Sequence, residues 1–233
     1  MDLQLTQKQI NYLFQDERLL KVALTHKSYL SWRGRDKTAK EHNERLEFLG
    51  DAVLELIISD YLFTHYTKNE GYMTSIRASL VNYKIIGQIG YDLQLDKHIL
   101  MSAGEKAELG TARLTIVADA LEAVLGAIYV DGGYAKAEKF VHDFILIKLD
   151  DILESKSYRE PKTELQEYTQ KYFKVTPRYE VIATEGKDHQ KVFFVALHVA
   201  DKKICEASGL SKQEAETNCA IEALNTLEVH TKL

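Results

Sequence analysis

The sequence predicts an α+β protein in two parts: an all-α domain over residues 1–148 and an α-β-β-β-α domain over 160–230, joined by a linker at 149–159. Two observations carry this. In the first part apolar residues recur at helical spacing, as in Ile10, Leu13 and Phe14 and again in Met73, Ile76 and Leu80, with no sustained alternation of period two. Beyond residue 160 the period changes, and strand-like runs follow one another between two helical stretches.

Element by element, the first part is punctuated by glycine: Gly71, Gly104, Gly110 and the Gly132-Gly133 pair mark breaks between helices. The segment 149–159 has mixed charge and few apolar residues, which suits a linker. Pro161 then opens a helical stretch, KTELQEYTQKYF, at the position where a missing N–H does no harm. Strands are expected at 178–184, 191–199 and 203–208. Ser211 and Glu214 form a capping-box pattern for the last helix, whose apolar positions Ala220, Ala223, Leu224 and Leu227 are helically spaced.

With 233 residues there is room for one domain of about 150 residues and a smaller one. The N-terminal MDLQLTQKQI is too polar for a signal peptide, and the longest uninterrupted apolar run, Ala123 to Val130, falls far short of the ~20 residues that span a bilayer. The expectation is a soluble, cytoplasmic protein with no membrane partner. Cys205 and Cys219 lack metal-ligand spacing and read as small core residues in reducing surroundings. A net charge of −5 is not the footprint of a phosphate binder. Acids outnumber bases from Glu160 onward as well, so any nucleic-acid affinity depends on where the cations lie.

The chemistry is concentrated in two helical stretches, HNERLEFLGDAVLELII and TIVADALEAVLGAIY. At 100° per residue, Glu44, Glu47 and Asp51 share one helix face, and Asp119 and Glu122 pair on another. No Lys or Arg occurs between Arg45 and Lys68 or between Arg113 and Lys136. An acid on a helix is ordinarily just part of a solvated face. Here the flanking residues are so uniformly apolar that both helices are expected to be buried, with the acids at the wall of a cleft. Like-charged carboxylates in partial burial either protonate or take up a cation. A set of oxygen donors without His or Cys favours Mg²⁺, with Mn²⁺ as a substitute, over zinc.

HNERLEFLGDAVL, at 42 to 54, closely resembles the signature of the ribonuclease III family. ALTHKS at 23 to 28, NEGYMTSIRASLVN at 69 to 82 and IVADALEAVLGAIYVDGG at 116 to 133 resemble further blocks of that family in the expected order. The region from about 160 resembles a double-stranded-RNA-binding domain, a fold that reads A-form shape through the minor groove and phosphates. The resemblance implies a metal-dependent endoribonuclease that hydrolyses double-stranded RNA to 5′-phosphate and 3′-hydroxyl ends with short 3′ overhangs. It also implies the processing of ribosomal RNA precursors and some mRNAs. By the family pattern Asp51 and Glu122 are catalytic, and Glu47, Asp119 and Glu122, with Asp51, hold the metal. Glu44 and Glu70 support RNA engagement or cutting. Because one site cuts one strand, a two-fold homodimer is implied, with Phe48 inserted into the partner.

In the second domain the same resemblance points to Thr163, Gln166 and Glu167 for ribose hydroxyls, to His189 between Lys187 and Lys191 in a strand-connecting loop, and to Lys212 for phosphate. Here the chain departs from the family, since SKQEAET supplies one lysine and sets Glu214 and Glu216 beside it. Weakened, salt-sensitive RNA binding is expected. Two other readings fit the residues less well. An inactive duplex-RNA-binding scaffold is disfavoured because Asp51 and Glu122 are both present. A helical phosphohydrolase acting on nucleotides usually brings His to the metal, and no His falls between Glu44 and Asp51 or between Asp119 and Glu122.

Overall fold

The structure, a computed structural model, describes residues 1–31, 41–156, 158, 160–186 and 191–231. It divides into two compact units, Met1–Tyr158 and Arg159–Leu233. Among the described residues the first unit is helical: α1 Leu3–Gln9, α2 Glu17–Ala23, α3 Lys27–Ser31, α4 Glu44–His65, α5 Glu70–Leu80, α6 Tyr83–Asp92, α7 Ala103–Ala107, α8 Thr111–Gly132, α9 Tyr134–Phe144 and α10 Leu149–Ser155. Short 3₁₀ turns stand at Leu95–Lys97 and Leu146–Lys148.

α8 is the axis of this unit. Its run from Ile116 to Ile128 is buried except at Asp119 and Glu122, so a helix apolar on almost every side finds partners all round. α4 packs along it through Val53, Leu54, Ile57, Ile58 and Leu62, all buried. α8 ends at Gly132, and Gly133, in the left-handed region at φ 76°, turns the chain into α9. The expected breaks at Gly71 and Gly104 are instead the second residues of α5 and α7, each one step inside a helix whose cap precedes it. Asn69 accepts the Tyr72 N–H at 2.9 Å, and Ser102 accepts the Glu105 N–H at 3.2 Å.

The segment 149–159 is only partly the linker that was expected. Leu149–Ser155 forms α10, whose Leu149 and Ile152 are buried in the core of the first unit. Leu149, Ile152 and Leu153 recur at i, i+3 and i+4, an apolar stripe that the neighbouring acids mask. The helix stops at Lys156, which takes a left-handed φ of 54°.

The second unit runs α11 Pro161–Phe173, β1 Arg178–Glu185, β2 Val192–Val199, β3 Lys202–Gly209 and α12 Lys212–Thr231. The strands make one antiparallel sheet in the order β1-β2-β3, with Val181 opposite Val195 and Leu197 opposite Cys205. The pairing slips twice, between Val181 and Ala183, leaving Ile182 as the extra residue of a bulge, and between Leu197 and His198, leaving Ile204 as the extra residue of β3. Leu165 of α11, Val195, Leu197 and Cys205 of the sheet, and Ala215, Cys219, Ala220 and Ala223 of α12 form its core. The Cys219 thiol donates to the Val195 carbonyl at 3.1 Å and the Cys205 thiol to the Cys219 carbonyl at 3.2 Å, so both cysteines are buried packing groups. At the start of α12, Ser211 accepts the Glu214 N–H at 3.1 Å, while Glu214 reaches one residue past the cap to the Leu210 N–H at 2.7 Å.

Candidate active site

The acidic face of α4 and that of α8 are brought together by two glycines in mid-helix. A Cβ placed on Gly50 would run into the Glu122 carbonyl, and one on Gly126 into the Leu46 carbonyl and to 3.1 Å from the Gly50 nitrogen. The two backbones touch where a side chain would hold them apart. Gly50 lies one residue before Asp51, and Gly126 one turn beyond Glu122, so this contact sets the spacing of the acids. The sequence offered a signal for it, since a glycine inside a helix costs about 1 kcal/mol against alanine and calls for a packing reason.

Four acids gather across the contact and feel one another. Burial, then repulsion from Asp51, Asp119 and Glu47, pushes the Glu122 carboxyl up to about 8. Burial, then Asp119 and Glu44, pushes Glu47 up to about 7. Burial also raises Asp119. Asp51 is the exposed member of the four. Among the described residues no three His, Cys, Asp or Glu side chains already close around an ion as a ready-made cage. Chemically the set nonetheless fits a hard divalent cation, because carboxylates that repel one another, three of the four in partial burial, gain most from a shared positive charge.

Glu44 is not one of the unneutralised acids the sequence suggested. Lys27 of α3 reaches it at 2.9 Å, and His42 lies 3.7 Å from its other oxygen. Hydrogen bonding from Lys27 holds the Glu44 carboxyl below its ordinary value. The cation is 17 residues away in sequence and arrives through tertiary contact: Asn43 donates its backbone N–H to the Thr25 carbonyl at 2.9 Å, tying the start of α4 to the entry of α3. Glu70 stands apart from the four acids, on the rim of a cavity of ≈ 440 Å³ lined also by Leu56, Asp60, Phe63 and Arg77. Glu55 is exposed beside the cluster. Phe48, between Glu47 and Asp51, points away from the core and is 81% exposed.

In the second unit Thr163, Gln166 and Glu167 are exposed at helical spacing on α11. Thr163 is engaged by the cap: Glu160 accepts from its N–H at 2.8 Å and from its hydroxyl at 2.9 Å. Lys212 is exposed at the first turn of α12. Glu214 is committed to capping, and Glu216 lies between Lys162 at 2.6 Å and Lys212 at 3.8 Å. The structure thus adds Lys162, of α11, to the cations near Lys212. His189 and Lys187 lie outside the described residues.

A family model described as Ribonuclease-III-like matches residues 16–149, and one described as Double-stranded RNA binding motif matches 161–227. The chain is similar to Ribonuclease 3 of Oleidesulfovibrio alaskensis, 43% identical over 93% of this chain and 94% of that protein. To Ribonuclease 3 of Nitratiruptor sp. it is 38% identical over 97% of each. The nuclease domain of ribonuclease III from Campylobacter jejuni superposes with a TM-score of 0.56 at 39% identity, covering 63% of this chain and 97% of that domain. With the acids, the packed helices and both domain matches in register, the chain belongs to the ribonuclease III family, as a nuclease domain followed by a double-stranded-RNA-binding domain.

Proposed function

We propose that the cluster of Glu47, Asp51, Asp119 and Glu122 is the cutting site at which this endoribonuclease of double-stranded RNA hydrolyses phosphodiester bonds, with water as nucleophile and a divalent metal, Mg²⁺ or Mn²⁺, held by the four carboxylates. The observation that carries this reading is the pair of half-buried glutamates, Glu47 and Glu122, raised to about 7 and about 8 on helices pressed together at Gly50 and Gly126. A bound divalent ion lowers the pKa of water and stabilises the leaving oxygen. The chain's own part is to hold Asp51 and Glu122 on opposite helices at a fixed spacing and to take Glu47 and Asp119 out of bulk water, where their charges act more strongly. Glu44 and Glu70 support the engagement or cutting of RNA around the site. The products carry 5′-phosphate and 3′-hydroxyl ends with short 3′ overhangs, and the substrates are ribosomal RNA precursors and some mRNAs in the cytoplasm.

Thr163, Gln166, Glu167, His189 and Lys212 are proposed as contacts to the duplex. The cutting of both strands is assigned to a two-fold homodimer. Its support is an exposed apolar stripe on α4, with Phe48 at 81%, Leu56 at 56% and Phe63 at 77% exposure, within about 80° of one another around the helix. A neighbouring cavity of ≈ 770 Å³, lined in part by Leu19, Val22, Leu46, Leu49 and Val130, suits a partner's Phe48. The Campylobacter jejuni nuclease domain is itself described as having flexibility in a region involved in dimer formation.

The test is gel analysis of a long perfect RNA duplex with wild type, Asp51→Asn and Glu122→Gln, each with Mg²⁺ and with a chelator. Cutting by wild type with metal alone, and a loss of about 10²–10³-fold or more in each variant, is expected. Wild-type cutting in chelator, or undiminished cutting by either variant, overturns the assignment.

A further inference from the structure

Residues Thr25 to Ser28 of ALTHKS divide into three that tether and one that reaches out. Thr25 is buried, its hydroxyl donating to the Lys21 carbonyl at 2.7 Å and its own carbonyl accepting from Asn43 N–H. The buried His26 shares a 2.8 Å hydrogen bond with the Ser28 hydroxyl, which also accepts the Ser102 N–H at 3.0 Å. The His26 backbone N–H donates to the Leu100 carbonyl and the Leu100 N–H to the Leu24 carbonyl, at 2.9 and 2.8 Å. The segment is therefore fixed to both α4 and the loop before α7. Lys27 alone of the four turns to solvent, and its ammonium stands against Glu44 with 63% of its side chain exposed.

Its position relative to the acids is lopsided. Lys27's charge reaches Glu44, Glu47 and Asp119, while the influences on Glu122 come from Asp51, Asp119 and Glu47. A cation thus stands at one end of an acidic cluster, and the Asp51–Glu122 end lies away from it. Such an arrangement suits a polyanion passing over the cluster, since its phosphates are repelled by every carboxylate that a metal has not neutralised. The ion pair with Glu44 is exposed on both sides, at 63% and 47%, and so is held loosely and readily exchanged.

We propose that Lys27 is a substrate-binding residue of the cutting cleft, contacting an RNA phosphate on the Glu44 side of the acids, with Glu44 occupying its ammonium until the RNA backbone displaces it. This rests on the reading of the four acids as the cutting site. A lysine ammonium, compact and on a flexible stem, can swing from carboxylate to phosphate without moving α3.

The test measures affinity for a long RNA duplex against salt concentration in full-length Glu122→Gln protein, which is expected to hold RNA without cutting it, with Lys27→Ala, Lys27→Arg or Glu44→Gln added. Lys27→Ala is expected to weaken binding and to reduce the slope of log affinity against log salt by about one unit. Lys27→Arg should restore both. Glu44→Gln should keep the slope and tighten binding, because it frees the ammonium. In otherwise wild-type protein Lys27→Ala should act mainly on KM, as loss of a contact made in ground state and transition state alike. An unchanged affinity and slope in Lys27→Ala overturns the proposal, and so does an equal loss in Glu44→Gln, which would make the pair a structural strut. If wild type binds duplex and never cuts it, the cutting-site reading falls, while the contribution of Lys27 to binding is still read from the slope.

Discussion

Glu122 and Glu47 hold protons that an ordinary surface glutamate has lost. Their carboxyls ionise near 4.5 when solvated but are pushed up to about 8 and about 7 in the fold. Between those values the folded chain binds more protons than the unfolded one, so stability falls as pH rises. Their favourable contribution is complete below about 4.5 and is lost as pH climbs through about 7 and 8. In chelator, the thermal midpoint of the first unit is therefore expected to decline from pH 5 to pH 9. Glu122→Gln should flatten part of that decline, and millimolar Mg²⁺ should remove most of it at the upper end, because an ion that binds the ionised set stabilises the folded state. Scanning calorimetry across pH, with and without metal, decides this; a midpoint in chelator that does not fall with pH counts against it. Of these residues the sequence displayed all four acids and their helical phase. It did not display that Lys27 answers Glu44, because that pair is made by the Asn43–Thr25 tether and not by any local spacing.

At the scale of the element, the contact of α4 with α8 governs both stability and site geometry. Gly50→Ala drives a methyl into the Glu122 carbonyl, and rigid helix backbones can yield only by separating. The expected cost is about 1–3 kcal/mol, or roughly 2–12 °C in midpoint for a unit of this size, with loss of cutting beyond what the stability change explains. Gly71→Ala is the control, since its nearest neighbour is the Asn69 side chain at 3.9 Å and the position is helical. It should be neutral or stabilise by up to ~1 kcal/mol. Melting and duplex-cutting assays on the two variants separate the claims. If Gly50→Ala melts and cuts as wild type does, the close helix contact is not what spaces the acids. The strands and the last helix were legible because alternation and capping are local signals. α10 was not, because its three apolar residues sit among acids and only the core of the first unit gives them a place to be buried.

For the whole molecule, each unit has its own core. Leu165 is fully buried in that of the second unit, and Leu165→Ala is expected to cost about 2–5 kcal/mol there. Calorimetry should show two transitions, of which this substitution lowers one; a joint shift of both would mean the units melt together. The dimer is tested through Phe48, which is exposed and so can be changed without opening the core. Phe48→Glu should yield monomers by light scattering and reduce duplex cutting, while the melting of the first unit stays close to wild type. A dimer of wild-type stability in this variant would remove Phe48 from the interface. Among the described residues no helix is long and apolar enough to cross a membrane.

By itself the sequence determined the two-part α+β architecture, the four acids with their phase on two helices, and the family, because helical period, strand alternation, caps and motif order are written in neighbouring residues. Tertiary structure alone decided which face of α4 meets α8, how close the acids stand, where their protons are held, and that Lys27 and Lys162 join sites on elements far from them in sequence. Those properties depend on backbones touching at Gly50 and Gly126 and on burial by distant side chains, and no local pattern encodes either.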